Sequence, residues 1–303
     1  MSQENYRAGF VAIVGRPNVG KSTLINAFVG EKIAITANQP ETTRKVIRGI
    51  VSRDTGQLIL VDTPGLHRPR TLLGKRLNLL VSETLSDVDA VVICFPADEK
   101  IGPGDRFLLE KVTSIKRPIF AVITKIDKVS REALAQKLLS VGEMADFTQI
   151  VPVSAVTDEQ IDLLEELLIK QMPLSPSLYP NSMITDESEE ERMAELIRES
   201  ALAGVRDELP HSIAVVIEDI EERARRKGDK RDPILDVRAS IYVERDSQKG
   251  IVIGKGGERM KIVGARARQE IEKMINRKIF LDIRVKVAKD WQKDPKFLGR
   301  FGF

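Results

Sequence analysis

Gly15-Arg16-Pro17-Asn18-Val19-Gly20-Lys21-Ser22-Thr23 sets two glycines five residues apart, with a lysine and a hydroxyl directly after the second. Glycines at this spacing let the backbone wrap so that its N–H groups point inward at phosphate oxygens, and the start of the following helix adds partial positive charge. In such a loop Lys21 reaches the β- and γ-phosphates and Ser22 ligates Mg²⁺. Asp62-Thr63-Pro64-Gly65 comes next. There Asp62 is placed to hold the metal through water, and Gly65 to offer its N–H to the γ-phosphate. Thr124-Lys125-Ile126-Asp127 is suited to a base. A carboxylate at Asp127 accepts from the N1–H and the 2-amino group of guanine. Adenine has neither donor, so the pattern selects GTP over ATP. Ser154 and Ala155 suit a backbone contact to the guanine oxygen.

A second glycine-lysine stretch, Gly254-Lys255-Gly256-Gly257, lies far down the chain. It is too short for the first pattern, and no hydroxyl follows its lysine. It fits Gly-x-x-Gly, the loop that joins two helices in KH domains and lies along a nucleic-acid backbone. Lys255 and Gly256 form the variable pair. Arg259 and Lys261 follow, and Ile251, Ile253 and Ile262 are candidates for an aliphatic groove against bases. With few aromatics nearby, base stacking is expected to be a minor term. The two loops are thus expected to hold different phosphates, those of a mononucleotide with Mg²⁺ and those of a polynucleotide strand.

These groups need elements to hold them. The apolar runs Phe10–Val14, Leu58–Val61, Ala90–Phe95, Ile119–Thr124 and Ile150–Val153 read as buried strands, and each of the first loop's partners stands at a strand end. Val46–Val51 and Leu58–Val61 flank a turn, so one strand is antiparallel. Helical patterns lie between the others. The alternation predicts an α/β domain over 1–172, a doubly wound and mainly parallel sheet with helices on both faces. Pro173, Pro176 and Pro180, followed by acidic residues, read as a linker over 173–188. Asp186 with Glu189 is expected to cap the next helix. Over 189–303 the order helix, strand, strand, short helix at Ser247–Ile253, glycine loop, helix, strand predicts a smaller α+β domain of the type II KH kind.

The chain has 303 residues, 42% hydrophobic and 31% charged, which suits two globular domains. Two histidines and one cysteine, Cys94, make a transition-metal site or an internal disulfide an unpromising expectation. The N-terminal residues carry no signal-peptide pattern. From His211 onward 23 Lys and Arg stand against 15 Asp and Glu, a net of +8, and the remainder carries −5. A basic back half suggests a polyanionic partner.

The first set of motifs resembles the translation-factor class of small G domains, and the whole chain resembles the Era-like GTPase family. GRPNVGKSTL, TTR, DTPGLH, YPNSMITDES, VERDSQKGIVIGKGG and the final DWQKDP carry that resemblance. It implies slow GTP hydrolysis to GDP, with Lys21, Asn18, Thr43 and Gly65 as the catalytic set and Ser22, Thr43 and Asp62 at Mg²⁺. Thr43, with Thr42 in reserve, is the switch threonine. Thr124 stands where the family has an asparagine that braces the phosphate loop, and threonine is expected to lack the reach. Leu66 replaces the glutamine that orients the attacking water. In part of the subgroup with a hydrophobic residue there, an asparagine equivalent to Asn18 helps bind K⁺. The resemblance further implies binding of the 3′ end of 16S ribosomal RNA in the GTP state and assistance to small-subunit maturation. It also implies a cytoplasmic monomer with some peripheral association with the inner membrane. Two rival readings are a tandem GTPase of ribosome assembly with a KH-like tail, which needs a second full motif set that the sequence lacks, and a GTP-gated switch whose basic tail docks on anionic membrane. A third is an RNA-binding protein with an inactive G domain.

Overall fold

A computed structural model describes residues 5–36, 46–63, 71–205, 212–223 and 233–302. The chain divides into two compact units, the larger taking most of the chain up to Asp186 and the smaller the stretch from Glu187 to Phe303.

In the larger unit six strands form one sheet: β1 (Arg7–Val14), β2 (Ile47–Ser52), β3 (Gly56–Asp62), β4 (Ala90–Pro96), β5 (Ile119–Thr124) and β6 (Gln149–Pro152), in the order β2-β3-β1-β4-β5-β6. Only β2 is antiparallel to its neighbour. Every residue of β3, β4 and β5 is buried, the reason these strands read as unbroken apolar runs rather than alternating ones. Successive side chains face opposite layers. Ile13, Leu60, Val92 and Val122 pack toward α1 (Lys21–Val29) and α5 (Ile161–Gln171). Val14, Val91, Ile93 and Ile123 pack toward α2 (Leu72–Ser86), α3 (Pro103–Thr113) and α4 (Arg131–Gly142). The chain leaves β1 between β3 and β4, where the strand order reverses, so the crevice for a ligand opens at the carboxyl end of β1.

The proline-containing segment after α5 lies along this unit. The Gln57 amide, fully buried, accepts from the Leu178 and Tyr179 N–H groups at 2.8 and 3.0 Å and donates to the Tyr179 carbonyl at 2.9 Å. Farther on, Ile50 N–H donates to the Ile184 carbonyl at 2.8 Å, Thr185 bridges Gly49 in antiparallel fashion, and Arg48 pairs with Asp186 at 2.7 Å. The segment thus extends the edge of β2.

The smaller unit runs α6 (Glu189–Leu202), β7 (Ala214–Glu222), β8 (Leu235–Val243), α7 (Asp246–Ile253), α8 (Glu258–Ile275), β9 (Ile279–Val287) and α9 (Pro295–Arg300). Its sheet has the order β7-β8-β9, with β7 and β8 antiparallel and β8 and β9 parallel. The cap of α6 differs from the expected Asp186–Glu189 pair. Ser188 is the N-cap, and its hydroxyl and the Glu191 carboxylate take each other's backbone N–H at 3.2 Å. Asp186 is drawn back to Arg48, which leaves the serine to close the turn. Val263, Ala267 and Ile271, four residues apart, bury one face of α8 and leave Lys261, Arg266, Arg268 and Lys273 exposed on the rest. Trp291 is fully buried, its Nε1 donating to the Ser212 carbonyl at 3.0 Å, with Phe301 edge-on against its ring.

Candidate functional site

The loop from Gly15 to Gly20 joins β1 to α1 at the reversal point of the sheet. Gly15 is required by close approach, since a Cβ there would stand 2.7 Å from Val19 Cγ2 and 3.1 Å from the Cys94 carbonyl. Gly20 is required by its φ of 102°, and exposed Asn18 also adopts a positive φ of 62°. Pro17 and Val19 fill the turn, Val19 fully buried, and Thr23 continues α1. Lys21 is 7% exposed, and its Nζ donates to the Gly15 and Arg16 carbonyls at 3.0 Å each. Burial pulls its pKa below the ordinary lysine value, opposed chiefly by the Asp62 carboxylate. The ammonium thus sits inside the loop, held by two of the loop's own carbonyl oxygens. Beneath it the Cys94 thiol is pushed by burial up to about 12, so it stays protonated and packs as a small apolar group.

Ser22 Oγ donates to Asp62 Oδ2 at 2.9 Å, and Asp62 is fully buried at the end of β3. A hydroxyl and a carboxylate oxygen side by side form a hard-oxygen donor pair that fits Mg²⁺, which completes its shell with phosphate oxygens and water. Thr63 is turned inward, its hydroxyl donating to the Ile13 carbonyl at 2.9 Å, a structural role. Thr42, Thr43, Pro64, Gly65 and Leu66 lie outside the described residues.

On the base side the structure corrects one expectation. Thr124 does reach the phosphate loop: its Oγ1 donates to the Val19 carbonyl at 2.5 Å. The short side chain suffices because Gly20 brings the backbone close, to where an added Cβ would lie 3.7 Å from Thr124 Cβ. Lys125 adopts a positive φ of 59° and opens the turn Ile126–Lys128, which leaves Asp127 exposed. Ser154 is buried, and its hydroxyl donates to Asp127 Oδ1 at 2.7 Å while accepting from the Thr157 N–H at 3.2 Å. This orienting bond was not read from the sequence, which assigned Ser154 and half-buried Ala155 only backbone contacts. The available signal was a serine directly after a strand end facing the Asp127 turn.

In the smaller unit Gly254, Gly256 and Gly257 all have positive φ, 75°, 61° and 79°. Lys255 is exposed between them, as is Lys261 on the first turns of α8. Ile251 and Ile262 are 53% and 68% exposed, and Ile253 is half-buried. Arg259, expected on the nucleic-acid side, is turned into the domain. Its Nη2 donates to the Ala201 and Ala203 carbonyls at 2.9 Å each and so caps the C-terminal end of α6. Gly254 makes room for it, since a Cβ there would stand 2.6 Å from Arg259 Cβ.

A phosphate loop at a sheet reversal, a hydroxyl–carboxylate metal pair and an oriented base-side aspartate, followed by an α+β domain with an exposed Gly-x-x-Gly turn, define a GTPase joined to a KH domain. Residues 10–125 match the family model described as 50S ribosome-binding GTPase, and residues 208–292 match that of the KH domain. The chain belongs to the GTPase Era family. It is 57% identical to GTPase Era of Mycolicibacterium smegmatis over 301 residues, covering 98% of this chain and 99% of that one. It is 58% identical to GTPase Era of Mycobacterium avium over the same length, with the same coverage. Two solved structures each superpose with a TM-score of 0.91 at 35% identity, over 98% of this chain and 99% of theirs. One is a variant of Aquifex aeolicus Era bound to GDP·AlF4⁻, the other Era in complex with MgGDPNP and nucleotides 1506–1542 of 16S ribosomal RNA. The activity is GTP hydrolysis.

Proposed function

We propose that this GTPase is a switch whose KH domain holds the 3′ end of 16S ribosomal RNA in the GTP state, and that it assists maturation of the small ribosomal subunit in the cytoplasm. The observation that carries the reading is the exposed Gly254–Gly257 turn, with Lys255, Lys261, Ile251 and Ile262 open around it. It stands on a fold shared with the Era crystallised on that RNA. The phosphate backbone lies along the glycines, Lys255 and Lys261 neutralise it, and the isoleucines meet the bases. Arg259 supports the loop from within.

At the nucleotide, Lys21 leaves the loop carbonyls for the β- and γ-phosphates. Ser22 and Asp62 hold Mg²⁺, which when bound neutralises charge developing on the phosphate oxygens. By the family resemblance, Thr43 would join the metal's ligands and Gly65 would offer its N–H to the γ-phosphate. Leu66 cannot orient water, so intrinsic turnover is slow. Asn18, which is exposed and left-handed, is proposed on the same resemblance to share a K⁺ where positive charge is needed. Equal turnover in Na⁺ and K⁺ buffers would remove that role. Asp127, held by Ser154, accepts from guanine.

The test is RNA affinity at physiological salt, for the 16S 3′-terminal fragment and a scrambled strand, with a non-hydrolysable GTP analogue or GDP bound. Tighter, sequence-preferring binding in the GTP state is expected. Equal, salt-sensitive binding to both strands in both states would overturn the reading. Among the described residues no helix is long and apolar enough to cross a membrane.

A further inference from the structure

Arg16 belongs to the phosphate loop, yet its guanidinium is committed to the protein. Nε donates to Asp105 Oδ1 at 2.8 Å and Nη2 to Glu99 Oε2 at 3.1 Å. Asp105 is 2% exposed and fixed from its other side, where Oδ2 accepts from the Gly102 N–H at 2.8 Å and closes the first turn of α3. Gly104 lets the arginine stem cross the helix start, since a Cβ there would stand 3.0 Å from Arg16 Cδ. Glu99 serves a second cation. Its Oε1 lies 3.7 Å from Lys125 Nζ, and Asp98 lies 3.8 Å from the same nitrogen and 3.6 Å from Lys128 Nζ. Lys137 of α4 donates to the Glu99 carbonyl at 2.7 Å and pins the loop from outside. The β4–α3 loop is therefore a charged bridge between the two stretches that meet the nucleotide, the phosphate loop and Thr124–Asp127.

We propose that Arg16, Glu99 and Asp105 are positioning residues that set the spacing between phosphate loop and base loop, so that guanine-nucleotide affinity and base discrimination both depend on this bridge. An isolated exposed ion pair contributes little. This one is anchored on a buried carboxylate, where losing the partner leaves an uncompensated charge. Glu99 is shared, so the loops are energetically coupled rather than independently held. The inference rests on the reading of Asp127 as the guanine acceptor.

The experiment compares the full chain with its Asp105→Asn and Glu99→Gln variants. Asparagine keeps an acceptor for the Gly102 N–H while removing the charge Arg16 needs, and Glu99, on the loop surface, tests the bridge without touching the helix cap. Kd and dissociation rate are measured for GDP and for IDP, which lacks the 2-amino group, at low and high salt. In both variants GDP is expected to weaken about tenfold and IDP by less, so that the IDP-to-GDP ratio narrows. High salt moves the unsubstituted protein toward the variants. Unchanged GDP affinity overturns the proposal. So does equal weakening of GDP and IDP, which would make the bridge a prop for the phosphate loop alone. An unsubstituted protein that binds GDP and IDP equally overturns the Asp127 reading itself, and is recognised before any variant is made.

Discussion

At 2.5 Å from the Val19 carbonyl, the Thr124 hydroxyl holds the phosphate loop from the base side of the site. Comparing side-chain lengths alone led to the opposite expectation. The reach depends on where Gly20 lets the backbone pass, and that distance is set by tertiary packing. Thr124→Val keeps the shape and removes the donor. The lost bond, about 1 kcal/mol net with a further cost for the stranded carbonyl, should weaken GDP roughly five- to tenfold in calorimetric titration. Unchanged affinity would mean the brace is idle. Asp127 is assigned from the chemistry of the base, because guanine's two adjacent donors demand one bidentate acceptor. Asp127→Asn replaces one acceptor oxygen with an N–H donor. It should turn preference from guanosine toward xanthosine nucleotides, which present an oxygen in place of the 2-amino group. Competition binding with XDP checks this, and retained GDP preference would contradict the assignment.

Among the elements, the strands were the most legible. β3, β4 and β5 are buried at every position, and a run of apolar residues ending at a charged or glycine-rich turn says as much. The segment after α5 was legible only in its prolines. What the sequence conceals is Gln57, a polar residue near the start of an otherwise largely apolar strand, whose amide meets two N–H groups and a carbonyl more than a hundred residues away. Gln57→Ala strands those groups and should lower stability by about 2 kcal/mol. Hydrogen exchange should show the loss locally, as reduced protection at Leu178 and Tyr179. Protection equal to that of the unsubstituted protein would mean that the prolines alone hold the segment. At the start of α8 a cation beside a glycine loop looks like a phosphate contact until α6 is seen to end against it. Salt titrations separate the two kinds of cation. Lys255→Ala should reduce the slope of log affinity for single-stranded RNA against log salt by about 0.7. Arg259→Met should lower the melting temperature and leave the slope unchanged. A reduced slope in the latter would return Arg259 to the RNA surface.

For the whole molecule, the uneven charge suggests a polyanionic partner for the back half without saying which residues would face it. Many of those cations are internally matched. Arg223 pairs with Asp236, Arg238 with Glu221, Arg277 with Glu222 and Lys286 with Glu218, at 2.6 to 3.0 Å. The net charge is therefore a better guide than the count of basic residues. Each unit closes its own core, one around the six-stranded sheet and one around Val237, Ile241, Val263 and Ile271. Scanning calorimetry should accordingly resolve two transitions, and saturating Mg·GDP should raise only the one belonging to the larger unit. A single transition that shifts as a whole would mean the units melt together. The protein also carries its own optical label for separating these events. Its one tryptophan, Trp291, is buried in the smaller unit, and the larger unit has none. Emission excited at the indole band therefore reports one half of the molecule and is silent about the other. Red-shifted emission marks the melting of the KH domain, while the nucleotide-bearing half folds and unfolds in the dark.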